Sequence, residues 1–255
     1  MASLIVRIIG MVYRIPMSNI LGEEGNGIYA VAFEIYDLIL IISSYSLPLA
    51  LSKMISARQA NREHINTGRI LKVALRFAII SGGAFALILF FGAGVIEHTI
   101  YPEYSGVQIP LRVLAPTIFI VALLGVFRGF FQGKRTMIPT AVSQIIEAAG
   151  KLIFGLGLCA GAAAAAAREY AESGTVWGVA QPSEEYARLA ALPACAAGAV
   201  FGVTIGSMLA FLFLMIYYKK NGDGITKAEL RRAPPPPAAR TLRRELLRTA
   251  VPIAL

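Results

Sequence analysis

The sequence predicts an all-α membrane protein: a six-helix transmembrane bundle followed by the start of a seventh helix. Hydrophobic residues make up 56% of the chain and charged residues 15%, whereas a soluble domain carries about 25% charged residues. Mean hydropathy is +0.65. The apolar residues also come in long continuous blocks, and a helix needs about 20 of them to cross the hydrocarbon layer. A membrane β-barrel would alternate apolar and polar residues along each strand. Continuous runs leave the helix, which satisfies its own backbone in lipid.

The first span, Ser3–Leu21, contains Arg14 and Pro16 and is closed by Gly22, Glu23 and Glu24. The second, Gly27–Leu51, carries Glu34, Asp37 and Pro48. The third, Val73–Val95, follows a strongly basic link. The fourth, Ile109–Phe131, holds Pro116 and the start of a glycine series. The fifth, Met137–Ala160, begins near Pro139 and contains Glu147 and Lys151. The sixth, Leu192–Tyr218, has Pro193 at its start, and a seventh begins near Leu246. This divides the chain into a bundle over residues 1–220, a Pro/Arg-rich linker over 221–245 and the start of a second bundle over 246–255. The run Pro234 to Pro237 within Ala233–Ala239 reads as an extended, semi-rigid spacer. The stretch from Ala162 to Arg188 reads as an alanine-rich segment leading into an acidic outer loop with some helix.

The connecting segments alternate in charge. Lys53, Arg58, Arg62, Arg69, Lys72 and Arg76 follow the second span, Arg128, Lys134 and Arg135 cluster at the end of the fourth, and a long Lys/Arg series follows the sixth. The other set is acidic: Glu23 and Glu24, Glu97 and Glu103, then Glu169, Glu172, Glu184 and Glu185. The positive-inside rule then places the amino terminus and the basic segments in the cytoplasm. The net charge of +9 is explained by this distribution and by attraction to anionic membrane lipids, without nucleic acid. No cleavable signal peptide is expected, since the first apolar stretch lacks a small-residue cleavage site. Cys159 and Cys195 fall in apolar stretches without metal-ligand spacing and read as packing residues.

Gly125, Gly129 and Gly133, and again Gly198, Gly202 and Gly206, recur every four residues. Small residues at this spacing let helices approach closely in lipid. Packing within the bundle is the expected use, a dimer seam or moving interface the alternative. Gly155, Gly157 and Gly161 are not a phosphate loop, because no strand precedes them. The proline-bearing spans suit helices that kink.

Charges inside spans carry the functional argument, because each costs several kcal/mol unless it meets a partner or water. Glu34 and Asp37 share one helix face, and with Arg14 they either line a water-filled cavity or snorkel to the interface. Glu147 and Lys151, four apart in the favourable order, read as an ion pair within their helix, structural or coupling in role. His64 and His98 lie in segments on opposite sides and cannot meet. No catalytic constellation or cofactor motif is visible, so neither an enzyme nor a bound cofactor is expected.

Several blocks carry a family resemblance. They are Tyr13-Arg14-Ile15-Pro16 with Ile20-Leu21-Gly22-Glu23-Glu24-Gly25, the segment Leu47-Pro48-Leu49-Ala50-Leu51-Ser52-Lys53, and Phe127-Arg128-Gly129-Phe130-Phe131-Gln132-Gly133 continuing from Met137 to Glu147. The sixth span, from Ala197 to Lys220, fits as well. These resemble polysaccharide biosynthesis proteins related to stage V sporulation protein B, within the multidrug/oligosaccharidyl-lipid/polysaccharide exporter superfamily that includes lipid II flippases. The resemblance implies two six-helix bundles around a cavity that opens alternately to either side, with an undecaprenyl-pyrophosphate-linked saccharide as cargo. Arg14 would then bind phosphate, Glu34 and Asp37 would balance charge or couple to cations, and Arg128 would attract the anionic head group. Thr249-Ala250-Val251-Pro252-Ile253 resembles the opening of the second bundle, so a longer protein with a further carboxy-terminal bundle is expected. A cation-coupled drug exporter of the same superfamily and a non-transporting sporulation or division scaffold are the alternatives. A membrane glycosyltransferase lacks the catalytic loop it would need.

Overall fold

The computed structural model describes residues 2–60, 65–222 and, near the end, 241, 242, 244–246 and 248. The proline run at 234–237 and residues 249–255, where the linker and seventh span were expected, lie outside the described residues. Seven helices make up almost all of the rest: α1 (Ala2–Leu40), α2 (Ser46–Ala60), α3 (Ile65–Thr99), α4 (Gln108–Gly133), α5 (Met137–Gly150), α6 (Leu156–Ser173) and α7 (Glu184–Asn221). Single π-helical turns join α1 to α2 at Ile41–Tyr45 and α5 to α6 at Lys151–Gly155.

Helix α1 is really two spans. Gly22 has φ 66° and ψ −167°, a region open essentially to glycine alone. Were the helix straight, Tyr13 and Phe33 would stand about 30 Å apart along its axis. Instead the Lys151 ammonium lies 5.0 Å from the Tyr13 ring centre and 4.6 Å from that of Phe33. The chain therefore folds back at Gly22, and the Asn26 amide donates to the carbonyls of Gly22 (2.6 Å) and Ser18 (3.4 Å), covering the end of the first arm. With the first long segment divided at Gly22, the described residues hold six apolar helical spans, the number the sequence predicts.

The second span does not stop at Leu51 but runs through the π turn to Ala60. Pro48 explains the turn: it has no N–H to donate one helical turn back, and its ring crowds that carbonyl, so the hydrogen-bond register slips. The fifth span also runs beyond its expected end at Ala160, because the run Ala162–Ala167 has the highest helix propensity. It ends at Ser173, where Gly174 takes the left-handed conformation (φ 69°). The acidic stretch, expected to be an outer loop with some helix, carries helix at both ends and between them a two-residue antiparallel hairpin, Thr175–Val176 against Val179–Ala180. The Glu169 carboxylate holds it, accepting from the Gly178 N–H (2.8 Å) and the Thr175 hydroxyl (2.9 Å). Ser183 then caps α7, with Glu184 and Glu185 in its positive first turn and Lys219 and Lys220 in its last.

Two buried clusters fill the bundle. One, around Leu21, Ile28, Leu111 and Ala187, lies toward the Gly22 reversal and the hairpin. The other, around Leu51, Ile55, Phe130 and Leu214, lies toward the basic end. Leu242 and Leu246, one turn apart, are buried in the second cluster, and Glu245 pairs with Arg58 at 2.9 Å. The outward faces are apolar: Ile80 is 72% exposed, Phe91 75% and Ile138 72%. In water each such side chain would forgo about 1.5–3 kcal/mol of burial, whereas lipid covers them without loss. This is an all-α membrane bundle.

The glycine series pack inside the bundle, as expected. An added Cβ on Gly129 would sit 2.5 Å from the Pro48 carbonyl, and one on Gly206 would sit 2.5 Å from that of Glu147. Gly202 faces the backbone of Gly155. Replacing Gly206 by leucine must therefore push α7 off α5, with a loss of at least the ~1–3 kcal/mol typical of overpacking. Gly157→Leu, where nothing lies within 4 Å, should stay within about 0.5 kcal/mol of the parent. Thermal melting in detergent compares them; equal losses would refute the packing assignment.

Candidate functional site

A charged cavity of about 560 Å³ lies between the two arms of α1, α4, α5 and α7. The first arm contributes Val6, Arg7, Ile9, Gly10 and Tyr13, and the second Tyr36, Asp37 and Leu40. Arg128 enters from α4, Gln144 and Glu147 from α5, and Lys151 from the π turn. An adjoining groove of about 640 Å³ shares Asp37, Arg128 and Gln144 and runs on past Ile41, Pro48 and Gln132. The two π turns thus flank the charged region, one contributing Lys151 and the other Ile41.

The hydrogen bonds are specific. Arg128 donates from Nη2 to Glu147 Oε2 at 2.7 Å and from Nε to Ser143 Oγ at 3.0 Å. Ser207 donates to the other Glu147 oxygen at 2.9 Å, and Ser143 to the Thr140 carbonyl at 2.7 Å. One carboxylate therefore ties α4, α5 and α7 together. The hydroxyls of Thr117 and Thr204 meet at 2.6 Å between α4 and α7. Tyr13 donates to the Ala199 carbonyl at 3.3 Å, joining α1 to α7. Lys151 sits over the Tyr13 and Phe33 rings, whose negative faces stabilise an ammonium where water is scarce.

The structure gathers some of the expected residues and leaves others apart. Asp37, Arg128, Glu147 and Lys151 share the cavity, but Arg14 and Glu34 occupy exposed positions outside its lining. Arg14 lies two turns beyond Arg7 on the same stripe, past Tyr13, the last first-arm residue of the lining. Glu34 lies a turn nearer Gly22 than Asp37, beyond the lining. Glu147 and Lys151 were expected to pair with each other. Instead both Glu147 oxygens go to Arg128 and Ser207, and the ammonium goes to the two rings.

Sequence reasoning passed over Arg7, Ser143, Gln144 and Ser207. Arg7 had a signal, lying seven residues before Arg14 on the same stripe. Near Arg7 the lining is broad, taking in Val6, Ile9 and Gly10 as well, against Tyr13 alone one turn further on. The two serines had none, because a hydroxyl in an apolar helix gains meaning only from the partner opposite it.

Fold and site together define a multi-pass helical membrane protein with a charged cavity between its spans. Residues 1–176 match the polysaccharide biosynthesis protein family, and the chain belongs to that family. It is 32% identical over 57% of its length to stage V sporulation protein B of Bacillus subtilis, of which the match covers 28%. It is 29% identical over 59% of its length to the lipid II flippase MurJ of the same organism, covering 29% of that protein. A third relative, the membrane protein YabM, is 28% identical over 62% of this chain and 29% of its own length. The aligned part is thus less than a third of each of these relatives. No solved structure matches the chain.

The Arg128–Glu147 pair gives a direct test of the site's architecture. Their side chains are 17% and 25% exposed, so Glu147→Gln leaves a largely buried guanidinium without its counter-charge, at a cost of about 3 kcal/mol. The double variant Arg128→Gln/Glu147→Gln should recover a good part of that loss. Melting temperatures of the four proteins of this cycle measure the coupling, and strictly additive losses would show that the pair does not act as a unit.

Proposed function

We propose that this chain forms the head-group-binding bundle of a flippase for undecaprenyl-pyrophosphate-linked saccharides, with a lipid II-like cell-wall precursor as cargo. One observation carries this reading: the charged cavity holds Arg7, Arg128 and Lys151 against two carboxylates, Asp37 and Glu147. Glu147 is engaged with Arg128, so Arg7 and Lys151 supply the positive field that a pyrophosphate would meet. The phosphate role expected of Arg14 falls to Arg7, its neighbour on the same stripe. Apolar faces on the outside of the bundle suit the isoprenoid tail. Membership of the family and likeness to a relative named as a lipid II flippase support the assignment.

In this reading the basic end of the bundle and the amino terminus face the cytoplasm, following the positive-inside rule. The alternating cavity is completed by a second, carboxy-terminal bundle, and the Lys/Arg series draws in anionic lipids. Asp37, at the junction of the two grooves, is the residue that the rival reading, cation-coupled drug export, would use.

Expression in a strain depleted of its lipid II flippase tests the proposal, with lipid II exposed at the outer face as the readout. The full-length gene, encoding both bundles, should restore exposure, and Arg7→Ala or Lys151→Ala should lower it by about tenfold, as expected for loss of a charge-assisted phosphate contact. No restoration despite verified membrane insertion would overturn the assignment. Cation-driven drug efflux from vesicles, lost in Asp37→Asn, would establish the rival.

A further inference from the structure

A second cavity, of about 480 Å³, lies between α6 and α7 toward the Gly22 reversal, away from the charged one. Its volume falls within the ~300–1,000 Å³ typical of small-molecule sites. Its walls are apolar, made by Ile20, Ala163, Ala166, Ala191, Leu192 and Cys195, while its polar groups, Tyr170, Glu184 and Arg188, gather at one end. Along α7 the lining runs from Glu184 to Cys195, a depth of about 16 Å at the helical rise.

We infer that this slot is a structural phospholipid site: it takes one acyl chain of a zwitterionic phospholipid and holds the head group at its rim. Glu184 and Arg188 stand four residues apart on one face of α7, about one helical turn from each other. That spacing offers an anion for the ammonium and a guanidinium for the phosphate. The guanidinium reaches over the end of the first arm of α1: a Cβ placed on Gly22 would lie 3.1 Å from an Arg188 Nη. That places it at the mouth of the slot, beside the Gly22 reversal.

The occupant follows from the separation of charge and apolar wall. A sugar or a free phosphate would meet the rim but leave the alanine-lined depth uncovered. An acyl chain fills that depth, and only an amphiphile does both. The helices that form the slot also expose apolar side chains, Leu158 on α6 and Phe201 on α7, which gives bilayer lipids a path to it. The proposal stands on this geometry and is independent of the cargo of the charged cavity.

Native mass spectrometry tests it, using the 255-residue chain released from micelles containing equimolar phosphatidylethanolamine and phosphatidylglycerol. One phosphatidylethanolamine should be retained, in about tenfold preference, the factor one charge-assisted contact supplies. Arg188→Glu, at an exposed position, should lower retention about tenfold for the same reason. Ala167→Trp should fill the slot and abolish retention with circular dichroism unchanged, and Glu184→Arg should turn the preference toward phosphatidylglycerol. Equal retention of the two lipids by the parent protein, or undiminished binding in Ala167→Trp, would overturn the inference.

Discussion

Where α7 crosses the α5–α6 helix, Gly150 and Gly206 stand backbone to backbone, and Gly202 lies against Gly155. Nothing larger than hydrogen fits between them. This approach brings Ser207, the residue after Gly206, within 2.9 Å of Glu147. It also fixes the π turn that begins at Lys151. In lipid there is little hydrophobic drive to bring helices together, so close packing and interhelical hydrogen bonds must do it. The charged cavity rests on that contact, because two of its charged groups leave the backbone where it occurs.

The compensation of charge follows a consistent pattern. Glu147 has a guanidinium and a hydroxyl, one on each oxygen. Lys151 has two aromatic faces, supplied by the two arms of α1. The reversal at Gly22 is what brings those arms side by side, so a single left-handed glycine contributes to the lysine's environment from across the bundle. The two π turns border the charged region, and such turns are common at functional sites.

Two cavities among the described residues differ sharply in character. One is central, charged and built from the two arms of α1 together with α4, α5 and α7. The other is a narrow apolar slot with a charged rim between α6 and α7. They differ in what they can bind: the first presents several cations around an open space, the second an apolar depth beneath one charge of each sign. Membership of the polysaccharide biosynthesis protein family bears on the first and leaves the second to its own geometry.

Much of this was legible in the order of residues. Apolar blocks of membrane length specify spans without reference to any partner, because every backbone group in lipid must bond within its own helix. The four-residue glycine spacing likewise announced close packing, and the in-span charges marked Asp37, Glu147 and Lys151, along with Arg14 and Glu34, as residues needing compensation, while Arg128 stood out through the family resemblance alone. What the sequence could not assign was the compensating group. Spacing suggested that Glu147 pairs with Lys151, yet Arg128 and Ser207, 19 and 60 residues away, take its oxygens. Arg14 and Arg7 share a stripe of the same helix, and only the height of the surrounding helices decides that Arg7 lines the cavity. Local periodicity sets which face a side chain is on; which neighbours meet that face depends on helix depth and crossing, and these exist only in the assembled bundle.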